Sequence, residues 1–242
     1  MFGILLAGMN GFSFINMGLG FYTLMPSYIC SDDDWLTSYS CTNTEICAGE
    51  STPQLNYQIN WNSPMSLHNW VEQLDLMCYK KWHIGSTGSA FFLGWACTIL
   101  IIPRLSDKYG RKWIFLLSII LTMVMMLLMI YVSRSLNETI VYLFIAGGAS
   151  SGRTTIGFVY CSEFFAPRWR VWFTTSFLVT TALSSFFICL WFEALNKHYI
   201  YVASIGVVTT SVSFVLCAIY VEESPLWQLK HGYVEEAQET LR

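Results

Sequence analysis

Residues 113–133 read Trp-Ile-Phe-Leu-Leu-Ser-Ile-Ile-Leu-Thr-Met-Val-Met-Met-Leu-Leu-Met-Ile-Tyr-Val-Ser, 21 positions without a charge. A bilayer's hydrocarbon core is about 30 Å thick and a helix rises about 1.5 Å per residue, so about 20 apolar residues cross it. Five further runs of that kind flank this one, at 1–25, 84–103, 140–165, 171–195 and 199–221. Composition agrees: 54% of residues are hydrophobic and only 12% charged, about half the usual charged share. Mean hydropathy is +0.47. A soluble chain of this length needs more charge to cover its surface. The reading is an all-α membrane protein: a bundle of six transmembrane helices over 1–221, then a polar segment at 222–242 whose end, 233–242, reads as a short helix with Glu235, Glu236 and Glu239 exposed.

The first run is not read as a signal peptide. It has no basic residue, carries Asn10, Asn16 and several glycines, and no small-x-small cleavage site follows it. Orientation follows from Lys and Arg in the short loops. Arg104, Lys108, Arg111 and Lys112 lie between the second and third runs, Arg168 and Arg170 between the fourth and fifth, and Lys230 and Arg242 after the sixth. The opposite short loops carry only Arg134 and Lys197. The first set is therefore expected to be cytosolic, with both termini on that side.

The long loop at 26–83 then lies outside the cytosol. It holds Asp32, Asp33, Asp34, Glu45 and Glu50, and four of the eight cysteines: Cys30, Cys41, Cys47 and Cys78. Four cysteines allow three pairings, which sequence does not rank. An oxidising compartment favours two disulfides. A metal site is disfavoured, because no Cys-x-x-Cys pair occurs and His68 and His83 keep no regular spacing to the cysteines. Cys97, Cys161, Cys189 and Cys217 fall in apolar runs and read as buried thiols. Asn137-Glu138-Thr139 is the single glycosylation sequon, in a short loop close to the membrane, which works against its use.

Three stretches resemble a known family. Leu105-Ser106-Asp107-Lys108-Tyr109-Gly110-Arg111-Lys112 is similar to the major facilitator loop motif, Gly-x-Leu-Ser-Asp-Arg/Lys-x-Gly-Arg-Arg/Lys. The stretch from Glu163 to Arg170 resembles the Glu-x6-Arg pattern of sugar porters and organic ion transporters. Glu222-Glu223-Ser224-Pro225-Leu226-Trp227 resembles the Pro-Glu-Ser-Pro-Arg-Trp of the same groups. Leu74 to Trp82, leading into Phe91-Phe92-Leu93-Gly94, is similar to the organic cation, organic anion and carnitine transporters, which also have a long cysteine-bearing loop after helix one. Pro103 stands where the loop motif usually has Gly, and Glu222 and Leu226 depart from the third motif.

The resemblance implies the amino-terminal half of a carrier with about twelve helices. It implies transport of a small organic ion by alternating access, with a second six-helix half as partner and the plasma membrane or another secretory-pathway membrane as location. A non-transporting, truncated member serving as a subunit of a membrane assembly is the alternative. The resemblance also implies a gating network, for which Asp107, Gly110, Arg111, Glu163, Arg170 and Glu223 are the candidates.

Arg153 lies about 18–20 Å from either end of its run, near the bilayer midplane. A charge at that depth costs at least about 2.5–3.5 kcal/mol. It is expected to face water, a substrate or a carboxylate of a second half, or else to bond backbone carbonyls of a neighbouring helix; facing a substrate it favours an anion or zwitterion, whereas a carboxylate partner would free the site for cations. In the first run Asn10, Phe14 and Met17 share a face. Thr174, Thr181, Ser184 and Ser185 make a partial polar stripe in the fifth, and Gly148, Gly152 and Gly157 suggest close packing of the fourth. Helices one, four and five contribute to the family's cavity, so Arg153, Asn10, Phe14, Tyr160 and Thr181 are the candidate substrate contacts. No catalytic constellation, phosphate loop, dinucleotide fingerprint or basic run occurs, and the four histidines are scattered through loops and ends. Neither an enzyme, a cofactor, a metal nor a nucleic-acid partner is expected.

Overall fold

A computed structural model describes residues 2–11, 13–31, 38–47 and 56–240. Met1, Asp32, Asp33, Asp34, Glu50 and Arg242 lie outside the described residues. The first span, Phe2–Tyr22, is helical over α1 (Phe2–Asn10) and α2 (Ser13–Tyr22). A loop region follows with β1 (Tyr28–Ser31), β2 (Ser38–Cys41), α3 (Asn43–Cys47), β3 (Asn56–Ile59) and α4 (Trp70–Gln73). Then come α5 (Lys81–Thr98), α6 (Ile102–Tyr109), α7 (Arg111–Leu127), α8 (Leu136–Phe164), α9 (Pro167–Leu190) and α10 (Tyr199–Tyr220). Short π-helical turns, Leu128–Val132 and Trp191–Leu195, close α7 and α9. The chain continues in α11 (Pro225–Lys230) and α12 (Val234–Thr240).

Among the described residues, four helices are long and apolar enough to cross a membrane: Phe2–Tyr22, Arg111–Val132, Pro167–Leu195 and Tyr199–Tyr220. A fifth is reached only if Lys81–Thr98 and Ile102–Tyr109, bent by 47° at their junction, are taken as one. The uninterrupted run expected at 84–103 is thus broken. Pro103 sits in the first turn of α6, where its missing N–H is harmless, and without that N–H it cannot continue the hydrogen-bond ladder of α5.

The remaining expected span, α8, is 29 residues long but is not among the helices apolar enough to cross. Its position explains why. Ala146 to Arg153, eight consecutive residues including Ser150 and Ser151, are all buried. α8 packs against α1, α5, α6, α7 and α9, and this buried middle stretch carries small and polar residues in place of the bulky apolar ones that face lipid.

Close approach sets the α5–α8 contact. A Cβ on Gly147 would come within 2.8 Å of the carbonyl carbon of Phe91, and one on Gly94 within 2.8 Å of that of Phe144. The hydroxyl of Thr98 donates to Gly94 O at 2.9 Å and across the interface to Gly148 O at 3.2 Å. Two apolar clusters fill the bundle. One gathers Ile15, Tyr22, Trp70, Phe91, Met126 and Tyr199 towards the loop region; the other gathers Leu5, Met9, Phe115, Ile119, Tyr160 and Phe173 towards the opposite end.

The loop region is a small antiparallel sheet in the order β2-β1-β3. Disulfides join Cys30 to Cys41 and Cys47 to Cys78, so all four loop cysteines are paired. Tyr28 lies inside this layer; burial, then Tyr57 and Asp75, push its phenol up to about 12. Exposed aromatic rings mark both ends of the helices. Trp82, Tyr131 and Tyr201 lie at the loop end, and Trp113, Trp169, Trp172 and Tyr220 at the other. Such rings favour the two membrane–water interfaces.

Candidate functional site

The site forms at the end of the bundle where α6 turns into α7. Gly110 makes the turn with φ of 103°, a left-handed conformation that suits glycine. The turn leaves the first N–H groups of α7 without helical partners. Glu223, more than a hundred residues away in sequence, supplies them: its carboxylate accepts from Arg111 N–H at 2.9 Å and from Lys112 N–H at 3.1 and 3.2 Å. It also takes the Ser224 N–H at 2.9 Å. A carboxylate at a helix amino terminus gains about 0.3–1 kcal/mol, and more when partly buried. A side chain at position 110 would crowd this cap, since a Cβ there lies 2.6 Å from Glu223 Oε2.

Glu163, at the end of α8, completes the cluster. Its carboxylate pairs with the Arg111 guanidinium and accepts the Ser224 hydroxyl. The pair is shielded, with side-chain exposures of 12% for Arg111 and 8% for Glu163. Arg111 also meets Asp107 at 3.4 Å, whose side chain is 55% exposed. The indole of Trp227 donates to the Asp107 carbonyl at 3.0 Å. Ser224 caps α11 through the Trp227 N–H at 3.3 Å. Four elements, α6, α7, α8 and α11, are therefore tied through one charged cluster.

Five of the six residues singled out for this network come together: Asp107, Gly110, Arg111, Glu163 and Glu223. Arg170 is not among their contacts; its Nε donates to the Phe165 carbonyl at 3.1 Å. Ser224 and Trp227 join the network from outside the six candidates. Ser ahead of Pro-Leu-Trp is itself a helix-start signal, and that signal was available.

The residues singled out inside the bundle separate into two groups. Asn10 and Thr181 meet directly, the threonine hydroxyl donating to Asn10 Oδ1 at 2.9 Å, which bridges α1 and α9. Phe14 packs edge-on against Phe187 at 5.9 Å. Along α9, the hydroxyls of Thr174, Thr181, Ser184 and Ser185 each donate to a carbonyl one turn back. Arg153 and Tyr160 lie deeper, at 4% and 0% exposure. Tyr160 packs against Phe115 and Phe164, and Arg153 is engaged inside the bundle. Asn137 is exposed in the first turn of α8, its Oδ1 3.1 Å from His83 Nε2. Of the cysteines in the apolar runs, Cys161 and Cys217 are buried, but Cys97 and Cys189 are exposed on the helix surfaces, contrary to expectation.

Long apolar helices pack around a helix rich in small residues and are tied at one end by a shielded ion pair. The chain belongs to the sugar (and other) transporter family, which it matches over residues 24–242. Solute carrier family 22 member 16 of Mus musculus is 26% identical over 171 residues, 71% of this chain and 26% of that protein. Organic cation/carnitine transporter 2 of Rattus norvegicus is 25% identical over 198 residues, 80% of this chain and 35% of that protein. The E. coli xylose transporter XylE, in a partially occluded inward-open conformation, shares the fold with a TM-score of 0.63 at 13% identity, over 100% of this chain and 53% of that one. The chain spans 26% to 35% of these curated relatives and about half of the solved transporter. The major facilitator resemblance read from the motifs is therefore correct.

Proposed function

We propose that this chain forms one half of a carrier that moves a small organic ion across a membrane by alternating access, with a second six-helix half completing it. The six crossings in this reading are Phe2–Tyr22, the bent α5–α6 pair, α7, α8, α9 and α10, with both termini in the cytosol. The Lys and Arg bias supports that orientation. The plasma membrane, or another membrane of the secretory pathway, is the proposed location.

The shielded Arg111–Glu163 pair carries the proposal. Removing one partner of a buried ion pair costs about 3–5 kcal/mol, so the cluster holds α6, α7, α8 and α11 firmly while it is intact. The half-exposed Asp107 carboxylate is placed to meet a second half at the same end. A network that is closed in one state and parted in another is a gate in the alternating-access sense.

The Asn10–Thr181 bridge, Phe14 and the α9 hydroxyls form this half's part of the substrate wall. A hydroxyl already bonded to its own helix is satisfied in a dry environment and can turn to a solute. Arg153 and Tyr160 lie too deep to touch a solute in this arrangement and join the wall only after α8 and its neighbours move. A guanidinium at mid-membrane depth favours an oxygen anion nearby, which makes an anionic or zwitterionic substrate the preferred class.

Uptake by the complete carrier in liposomes tests this. Glu163→Gln is expected to lower uptake at least tenfold at unchanged membrane level, and Arg153→Gln to lower uptake of organic anions more than that of matched cations. The chain alone is expected to give no uptake, because rocking needs two bundles. Robust uptake by the demonstrably monomeric chain, or wild-type rates from Glu163→Gln, would sink the proposal.

A further inference from the structure

Two histidines with no sequence relationship, His68 in the loop region and His198 in the turn between α9 and α10, are brought face to face. Their ring centroids are 3.9 Å apart and their planes 7° from parallel. Trp61 stacks on the other face of His68, also at 3.9 Å and at 22°. The three rings form one column across the seam between the loop region and the helical bundle.

Backbone bonds run along the same seam. The His68 N–H donates to Lys197 O at 3.0 Å, and the Tyr199 N–H donates to His68 O at 3.1 Å. The Lys197 ammonium donates to the carbonyls of Trp61 at 2.7 Å and Ser63 at 2.9 Å. Among the described residues, the titratable or charged side chains in contact with this column are Glu72, Lys197 and Tyr201. Glu72, on α4, holds His68 Nδ1 at 2.7 Å. Tyr201, on α10, lies edge-on to His198 at 6.1 Å. His198 is exposed, and its N–H donates to Asn196 Oδ1 at 2.8 Å.

We propose that this column is an acid-released clasp that holds the loop region against the α9–α10 turn. The reasoning is a count of charges. With both imidazoles neutral, the rings stack without repulsion, and Glu72 and Lys197 are one negative and one positive group. With both imidazoles protonated, two like charges lie in parallel rings whose centroids are 3.9 Å apart, near the Lys197 ammonium and with only Glu72 in opposition. Like charges at about 4 Å repel appreciably even near a protein surface. Imidazole changes charge between about pH 5 and 8, so the clasp is closed at neutral pH and weakens as pH falls. The sign follows from that count: acid adds cations to the closed seam, and opening it separates them.

The His68 and Tyr199 amides bridge the seam and report its state directly. Hydrogen exchange of the full chain in lipid nanodiscs, corrected for the intrinsic pH dependence of exchange, is measured at pH 8 and pH 5. Protection at both amides is expected to fall roughly tenfold or more at the lower pH. His198→Phe keeps a ring in the column without a titrating group, and its protection should not change with pH. Wild-type protection that is the same at both pH values overturns the proposal. So does an equal loss in wild type and His198→Phe.

Discussion

Replacing Gly147 by alanine tests whether the α5–α8 contact holds the bundle together. The added methyl would lie 2.8 Å from the Phe91 carbonyl carbon and 3.1 Å from its Cα, where ordinary van der Waals contact begins at 3.4 Å. The obstacle is backbone inside a helix, so no side-chain rotation removes it. The two helices must part by roughly 1 Å, which forfeits a large fraction of the dispersion energy along the seam and stretches the Thr98 bond to Gly148. Overpacking costs about 1–3 kcal/mol, and an immovable obstacle places this site at the upper end. About 3 kcal/mol is roughly a hundredfold change in the folded-to-unfolded ratio. Gly85, on the partner helix α5, is the control, because a Cβ there meets nothing within 4 Å. Gly85→Ala should be neutral or stabilise by about 0.5–1 kcal/mol, through helix propensity alone. Reversible unfolding in mixed micelles, titrated with a denaturing detergent, measures both. A Gly147→Ala protein within about 0.5 kcal/mol of wild type, or equal destabilisation by the two substitutions, would refute the reasoning.

The α7 cap makes a second prediction. Gly110→Ala combines a left-handed backbone with a crowded Glu223 carboxylate and should destabilise by about 1–3 kcal/mol. Glu223→Gln keeps the shape, removes the charge, and should lose about 1 kcal/mol. If Gly110→Ala is the milder of the two, the cap is not what requires glycine. In the loop region, mass spectrometry of non-reduced peptides should recover cross-links Cys30–Cys41 and Cys47–Cys78. Serine at both Cys47 and Cys78 should cost about 2–4 kcal/mol of loop stability. Peptides joined Cys30 to Cys47, or four free thiols, would count against this arrangement of the sheet.

The sequence by itself determined what depends on composition and local spacing. Uncharged runs such as 113–133 declare membrane helices, because burial of apolar surface in lipid needs only length and lack of charge. The loop motif from Leu105 to Lys112 declared the family, since its glycine and its charges are required by one turn between two helices. Clustered cysteines in a single loop declared disulfides, though not which pairs. Tertiary structure decided the rest, because the deciding contacts join residues far apart in the chain. Thr181 bonding Asn10, Glu223 capping α7, and Glu163 pairing with Arg111 each cross from one helix to another, and no local pattern encodes such a partner. α8 falls short of the hydropathy of a membrane span because its middle is buried against neighbouring helices, and that burial is a property of the packed bundle alone. The glycines that matter most in the α5–α8 seam, Gly94 and Gly147, were passed over for Gly148 and Gly152, since spacing shows that small residues recur but not which of them faces a neighbour's backbone. The same holds for His68 and His198: scattered in the chain, they become one device only where the fold lays the loop region against the turn between α9 and α10.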